Sequence, residues 1–198
     1  MNIRLELETR LGADSRLRLN DVEVDPAGIR AILINEVVPA DPRQDFYGES
    51  GGEYLSTALP LLRQAGLDVQ TNGDVLARGI YITNAAKIPK TSYAVDQEIL
   101  DASLPILEAE LALFPNVAVI VLCGDVARKM FNAIAKKATR KNVIPSGATY
   151  KLRSEAYHYG AIRVLPSYIL TGGNLLIEKS KVRMITEDLA GMAQFLRD

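Results

Sequence analysis

Four short segments concentrate the side chains of this chain that could do chemistry. They read Asn35-Glu36-Val37-Val38-Pro39 with Asp45-Phe46-Tyr47-Gly48 downstream, Thr83-Asn84-Ala85-Ala86-Lys87-Ile88-Pro89, Leu122-Cys123-Gly124-Asp125-Val126-Ala127, and Leu165-Pro166-Ser167-Tyr168-Ile169. Glu36 is either a reactive carboxylate or a loop acid paired with a lysine. Asn84 either offers its amide to a ligand or caps a turn through its side chain. Phe46 either faces a ligand or packs under its loop. Lys87 either contacts phosphate or is solvated, and Ser167 either serves a binding loop or caps a turn. Gly124-Asp125 precedes a helical pattern, where backbone N–H groups could hold a phosphate. Asp125 opposes an anion, however, and suits a helix cap better.

Other chemistries are excluded by counting. Cys123 is the only cysteine and His158 the only histidine. No internal disulfide, cysteine-built zinc or iron–sulfur cage, His–His metal site or two-imidazole mechanism is available. Cys123 follows an apolar run and reads as inert core. His158 precedes the last strand pattern, which places it near the amino end of a sheet and away from the other candidates. There is no GxGxxG and no GxxxxGK[ST], so the flavodoxin-type nucleotide reading gains no fingerprint. No cofactor is expected.

The elements that must position these residues follow from the apolar runs. Residues 31–35 (AILIN), 79–83 (GIYIT), 117–122 (VAVIVL) and 161–165 (AIRVL) are rich in Val, Ile and Leu and do not alternate with polar residues. Such segments suit strands covered on both faces. Helical spacing appears over 53–65, 96–113, 126–137 and 177–196, with Pro105 expected to kink or split the second. Strands alternating with helices predict a three-layer α/β/α sandwich around a four-stranded parallel sheet. Residues 1–30 form an extension of open structure: Ile3/Leu5/Leu7 and Leu17/Leu19 alternate like a hairpin, while 11–19 also fits a helix. Loops are expected at 37–52, 137–154 and 166–174. In open parallel sheets ligands bind outside the carboxyl ends of the strands. Glu36, Phe46, Asn84 and Pro166 are therefore expected to share one pocket there.

The length of 198 residues fits a single domain spanning 1–198, large enough to bury ~70% of its unfolded surface. With 48% hydrophobic and 24% charged residues the chain has an ordinary globular balance. No apolar run reaches membrane-spanning length, and the amino terminus lacks the apolar core of a signal peptide. The expected protein is soluble and cytoplasmic. The net charge of −1 hides an asymmetry: residues 128–183 carry twelve Lys and Arg against two acids, and residues 1–127 carry −9. That bias suggests either a polyanionic partner such as nucleic acid or solvated basic helix faces.

Taken in series, the segments INEVVP…DFYG, ITNAAK, LCGDVA and LPS resemble the uracil-DNA glycosylase superfamily, over roughly residues 30–190. The nearest branch carries a "GEAPG…PFVG" first motif, an "ITNVVK" second motif and usually a final "HPS". The resemblance implies that Glu36 orients or activates the attacking water, that Phe46 stacks on a flipped base, and that Asn84 reads its edge. An amide offers the donor and acceptor that uracil requires. It implies that Pro166 and Ser167 pinch the phosphate backbone and that Tyr168 or Ile169 fills the gap left by the base. Lys87, Lys136, Lys137, Arg140 and Lys141 would hold phosphates of DNA.

The departures are specific. The first motif has one extra residue between acid and proline, and Asn35 replaces a glycine. The iron–sulfur cysteines of that branch are missing. Leu165 stands where the superfamily has the histidine that stabilises the departing base, and leucine neither donates a hydrogen bond nor carries charge. Losing one such donor costs ~10²–10³ in rate, so Leu165→His is expected to recover up to that factor. The implied activity is excision of uracil or another damaged base by N-glycosidic hydrolysis. The alternative is a binder of nucleic acid or nucleotides that uses the same pocket without efficient cleavage.

Overall fold

The structure is a computed structural model that describes residues 1–196. Its strands are β1 (Ala31–Val37), β2 (Ile80–Ala86), β3 (Val119–Cys123), β4 (Tyr157–Tyr159) and β5 (Ile162–Ser167). Its helices are α1 (Ile3–Leu11), α2 (Glu53–Gln64), α3 (Asn72–Ala77), α4 (Gln97–Leu111), α5 (Asp125–Thr139), α6 (Thr149–Leu152) and α7 (Lys179–Ala193). The sheet order is β2-β1-β3-β5-β4. The first four strands are parallel, and β4 is antiparallel to β5.

Alternation along each strand divides the core in two. Ile32, Ile34, Tyr81, Ile120 and Val164 face one cluster, completed by α1, α4 and α5. Leu33, Ile82, Val121 and Cys123 face the other, completed by α2, α3 and α7. The chain is thus an α/β sandwich with helices on both faces of a mostly parallel sheet. The expected four strands become five, because Tyr157–Tyr159 hairpins onto β5. That segment has no apolar run, and a three-residue edge strand gives little periodicity to read.

Two further expectations are corrected. Ile3 and Leu7 are buried while Leu5 is exposed. That four-residue spacing makes α1 a helix, capped by the Asn2 carboxamide accepting from Leu5 N at 3.0 Å. Neither the hairpin nor a helix over 11–19 forms. Pro105 does not split α4, which runs as one helix over Gln97–Leu111. Proline frees the carbonyl four residues before it, here Asp101, and both residues are exposed, so water can satisfy that oxygen.

The outer edge of β2 is closed by side chains and by the amino-terminal segment, which protects a parallel edge. Asn20 Nδ2 donates to Tyr81 Oη at 2.6 Å and to Ile82 O at 3.1 Å. Ile82 N donates to Tyr47 Oη at 3.0 Å, and Arg18 N donates to Lys87 O at 2.7 Å. Beneath this cover lies a buried ion pair, Lys87 with Glu110 of α4. Glu110 also accepts from Tyr81 Oη at 2.7 Å and from Thr83 Oγ1 at 2.9 Å. Lys87 is therefore neither solvated nor in contact with phosphate. It fastens the end of β2 to α4.

Removing one member of such a pair leaves a buried charge uncompensated, at a cost of about 3–5 kcal/mol. Lys87→Met is expected to lower the unfolding free energy by that amount in denaturant titration. A loss within about 0.5 kcal/mol, the range of an ordinary surface substitution, would show that the pair does not hold β2.

Candidate functional site

The strand order places β1 between β2 and β3, so the chain turns to opposite sides of β1. This is the topological switch point, where α/β sheets open a crevice at the carboxyl edge. Glu36 is the penultimate residue of β1, and Gly124 follows β3 directly across that point. Glu36 Oε1 accepts from Val126 N, in the first turn of α5, at 3.0 Å. Its alternative reading as a loop acid paired with a lysine is replaced: it lies in a strand and bonds to backbone.

The approach is close because residue 124 is glycine. Its φ is +107°, and a Cβ built there would stand 2.4 Å from Glu36 Oε1 and 2.7 Å from Ile169 Cγ1. Burial pushes the Glu36 carboxyl above the usual range, and neighbouring Asp125 adds to this. The N–H groups of Val126 and Asp125 and the charge of Lys90 pull it back. The carboxylate thus occupies the helix terminus that could otherwise have held a phosphate.

Asn84 lies elsewhere. The register pairs it with Asn35, so its side chain shares the face of Asn35, opposite that of Glu36. It sits inside β2 and caps no turn. Asn84 Nδ2 donates to Asp45 Oδ1 at 2.9 Å and to Oδ2 at 3.1 Å, and its carbonyl accepts from Asn35 Nδ2 at 3.2 Å. Asn35 Oδ1 accepts from Leu170 N at 3.2 Å, tying the relay to the loop after β5. Asp45 is nearly enclosed, and burial raises its carboxyl above the usual range against the pull of Phe46 N and Asn84.

Phe46 is fully buried, with 0% exposure, in the cluster with α2 and α7. Its ring lies 5.3 Å from that of Tyr54, whose hydroxyl donates to Val37 O at 2.9 Å. Tyr54 also bonds to Thr171, and burial is the main cause lifting its hydroxyl to about 12, with Asp45 and Glu36 adding to it. The expected single pocket is therefore corrected. Glu36 faces α5, while Phe46 and Asn84 face the opposite layer with Tyr54 over Phe46.

The last motif is also redistributed. Pro166 and Ser167 are buried within β5, and Ser167 Oγ donates to Asp188 Oδ2 at 2.6 Å, beside the Arg153–Asp188 ion pair. Tyr168 is half-buried against Met184. Ile169, 37% exposed, is the member that reaches Gly124 and Glu36. Leu165 pairs in register with Val121, which pairs with Leu33. At ~3.3 Å per residue this is about 10 Å below Glu36, on the other face. A histidine there would enter the α2/α7 core, so the expected gain from Leu165→His is withdrawn.

Among the basic candidates, Lys136, Arg140 and Lys141 are exposed, whereas Lys137 pairs with Glu108 of α4. Cys123 is buried, and its thiol is pushed far up by burial. His158 pairs with Arg163 at the amino end of the sheet. Asn35, Asp45, Tyr54 and Thr171 were not read as site residues from the sequence. The paired asparagines at matching positions of two strands were the available signal for Asn35. Among the described residues no group of three or more His, Cys, Asp or Glu could hold a metal ion, and no helix is long and apolar enough to cross a membrane. Neither a protein-family model nor a curated protein sequence matches this chain.

The raised Glu36 carboxyl sets a pH dependence. The folded chain holds this proton more tightly than the unfolded chain, so stability falls as pH rises from the ordinary glutamate value through the higher folded value. The stability difference between wild type and Glu36→Gln is expected to decline over that interval and then level off. Denaturant melts across acid to neutral pH test this, and a difference that rises with pH would reverse the assignment.

Proposed function

We propose that this protein is a divergent uracil-DNA glycosylase-like hydrolase in which Glu36 positions water for attack on an N-glycosidic bond. The observation that carries the reading is the place of Glu36. It is a half-buried carboxylate at the switch point of the sheet, held by the first turn of α5 and raised above the usual carboxylate range by burial. A base of this kind must keep an unprotonated oxygen and a fixed direction. Oε1 accepts from Val126 N, which fixes the direction of the carboxylate, and in this reading the group holds a water and faces the positive charge that develops on the sugar.

The proposed ligand is a nucleotide of a DNA strand, placed at the carboxyl edge with Ile169 beside it. The series of four motifs in order along the chain supports the same reading. Departure of the base proceeds without imidazole help, since the position of Leu165 lies too deep. Turnover is accordingly expected to be slow.

A second reading, a binder without cleavage, is favoured by Asn84. Both ends of its amide are committed to Asp45 and Asn35, and Tyr54 covers Phe46, so base reading requires rearrangement.

Single-turnover incubation with a uracil-containing oligonucleotide, followed by cleavage of abasic sites, separates the two. Wild type is expected to release uracil slowly, Glu36→Gln to lose at least ~10²-fold, and Leu165→His to gain nothing. Cleavage that survives Glu36→Gln would remove the acid from the mechanism. No cleavage by wild type, with oligonucleotide binding intact, would establish the binder.

A further inference from the structure

We propose that a single strand of nucleic acid, not a duplex, is held along a track from Tyr93 past the amino end of α5 into the groove between α5 and residues 142–147. The proposal rests on the reading of Glu36 for what the strand is presented to, but not for the binding itself.

The groove has a volume of about 500 Å³ and takes Arg128, Lys129, Asn132 and Lys136 from α5. Positions 128, 132 and 136 are spaced by four and share one helix face. The opposite wall is fixed in place. Asn132 Oδ1 accepts from Val143 N at 2.9 Å and from Ile144 N at 3.0 Å, and Asn132 Nδ2 donates to Ile144 O at 2.8 Å. Arg128 donates to Gly147 O at 2.9 Å. Ile144 is buried as the anchor of this wall. A groove already held open in this way costs little ordering when a ligand enters.

Its charge is unbalanced within a chain of net charge −1. Residues 128–154 contain eight Lys and Arg and no Asp or Glu. Asp125 at the entrance is answered by Arg128. Basic residues away from the groove are partly neutralised: Lys137 pairs with Glu108, and Arg153 with Glu187 and Asp188. Along α5, Lys129 and Lys136 line the groove about two helical turns apart, a single row that suits one phosphodiester backbone. A duplex would need a second rank for its other strand.

The aromatic component lies on the loop that leads into α4. Tyr93 is 99% exposed, and Lys90 Nζ donates to Tyr93 O at 3.1 Å while standing 5.8 Å from the ring centroid. Lys129 Nζ donates to Gln97 Oε1 at 2.9 Å, which joins the groove to the start of α4 just after this loop. Val126 N holds Glu36 and the adjacent Asp125 lines the groove, so acid and groove adjoin at the start of α5. A basic groove with a free aromatic face is the arrangement that holds single strands, the ring stacking on an unpaired base.

Fluorescence anisotropy with a labelled single-stranded oligodeoxynucleotide of about 16 nucleotides, and with its duplex, tests the track over a series of salt concentrations. Wild type is expected to bind the single strand more tightly. The double variant Lys129→Ala/Lys136→Ala is expected to weaken binding at least ~10-fold and to flatten the log–log salt slope by about 1.4, two single-strand phosphate contacts. Tyr93→Ala should weaken binding by about 5- to 100-fold with the slope unchanged. Lys179→Ala, outside the groove, should change neither the affinity nor the slope by as much. Binding and cleavage are read separately on the wild type, so absence of cleavage with single-strand binding intact counts against the catalytic reading and not against the track. Tighter duplex binding, an unchanged slope in the double variant, or no binding at low salt would each overturn the track.

Discussion

A carboxylate and an amide cannot be left unpaired at the end of a strand buried on both faces, and this constraint organises the carboxyl edge of the sheet. Asn35, Glu36 and Val37 are consecutive, so their groups leave β1 in different directions. Asn35 takes Asn84 of β2 and the backbone of Leu170. Glu36 takes the first turn of α5. The carbonyl of Val37 takes the hydroxyl of Tyr54 from α2. These groups thereby fasten β2, the loop after β5, α5 and α2 to the centre of the sheet. The glycine at 124 is part of the same solution, because any side chain there would occupy the space of Glu36 and Ile169.

A second polar device, the Lys87–Glu110 pair, works at the outer edge. A buried ion pair is weak evidence for stability, since its desolvation cost rivals its attraction. Here it is surrounded by hydroxyls of Tyr81 and Thr83 and an amide of Asn20, so its lone pairs and protons are largely answered. Its structural effect is alignment. It sets β2 against α4 and leaves the amino-terminal segment one way to lie, with Arg18 N on Lys87 O. The extension is thus built into the fold as the cover of an edge strand.

The layered architecture was legible because burial on both faces leaves a plain signature, a Val/Ile/Leu-rich run without polar alternation, and four of the five strands carry one. Tyr157–Tyr159 has no such run and was missed. Helix positions were legible from spacing, while the effect of Pro105 depended on whether its freed carbonyl met solvent, which spacing does not report. Glu36 was found as a strand-end acid. Which face it took was not legible from motif order, because one residue of register reverses the face. The same parity explains Leu165, whose text matches a final motif while its depth and face do not. Lys87 was misread because a lysine is rarely fully buried, and its partner lies 23 residues away on helix α4.

Parity also limits what the candidate site can contain. A side chain on the face of Asn84 can approach Glu36 only by passing over the top of β1, and Tyr54 and Thr171 already occupy that crest. Groups on the face of Glu36 come from the start of α5 and from the loop holding Lys90. Of these, only backbone N–H groups and one lysine oppose the carboxylate. Burial and Asp125 act against its charge, the helix terminus and Lys90 in its favour, and the balance lies on the side of a raised pKa. A carboxylate in that balance can hold a water and take up its proton. It can do so only for a ligand that stands over the β1–β3 crossover, where Ile169 and the entrance of the α5 groove meet.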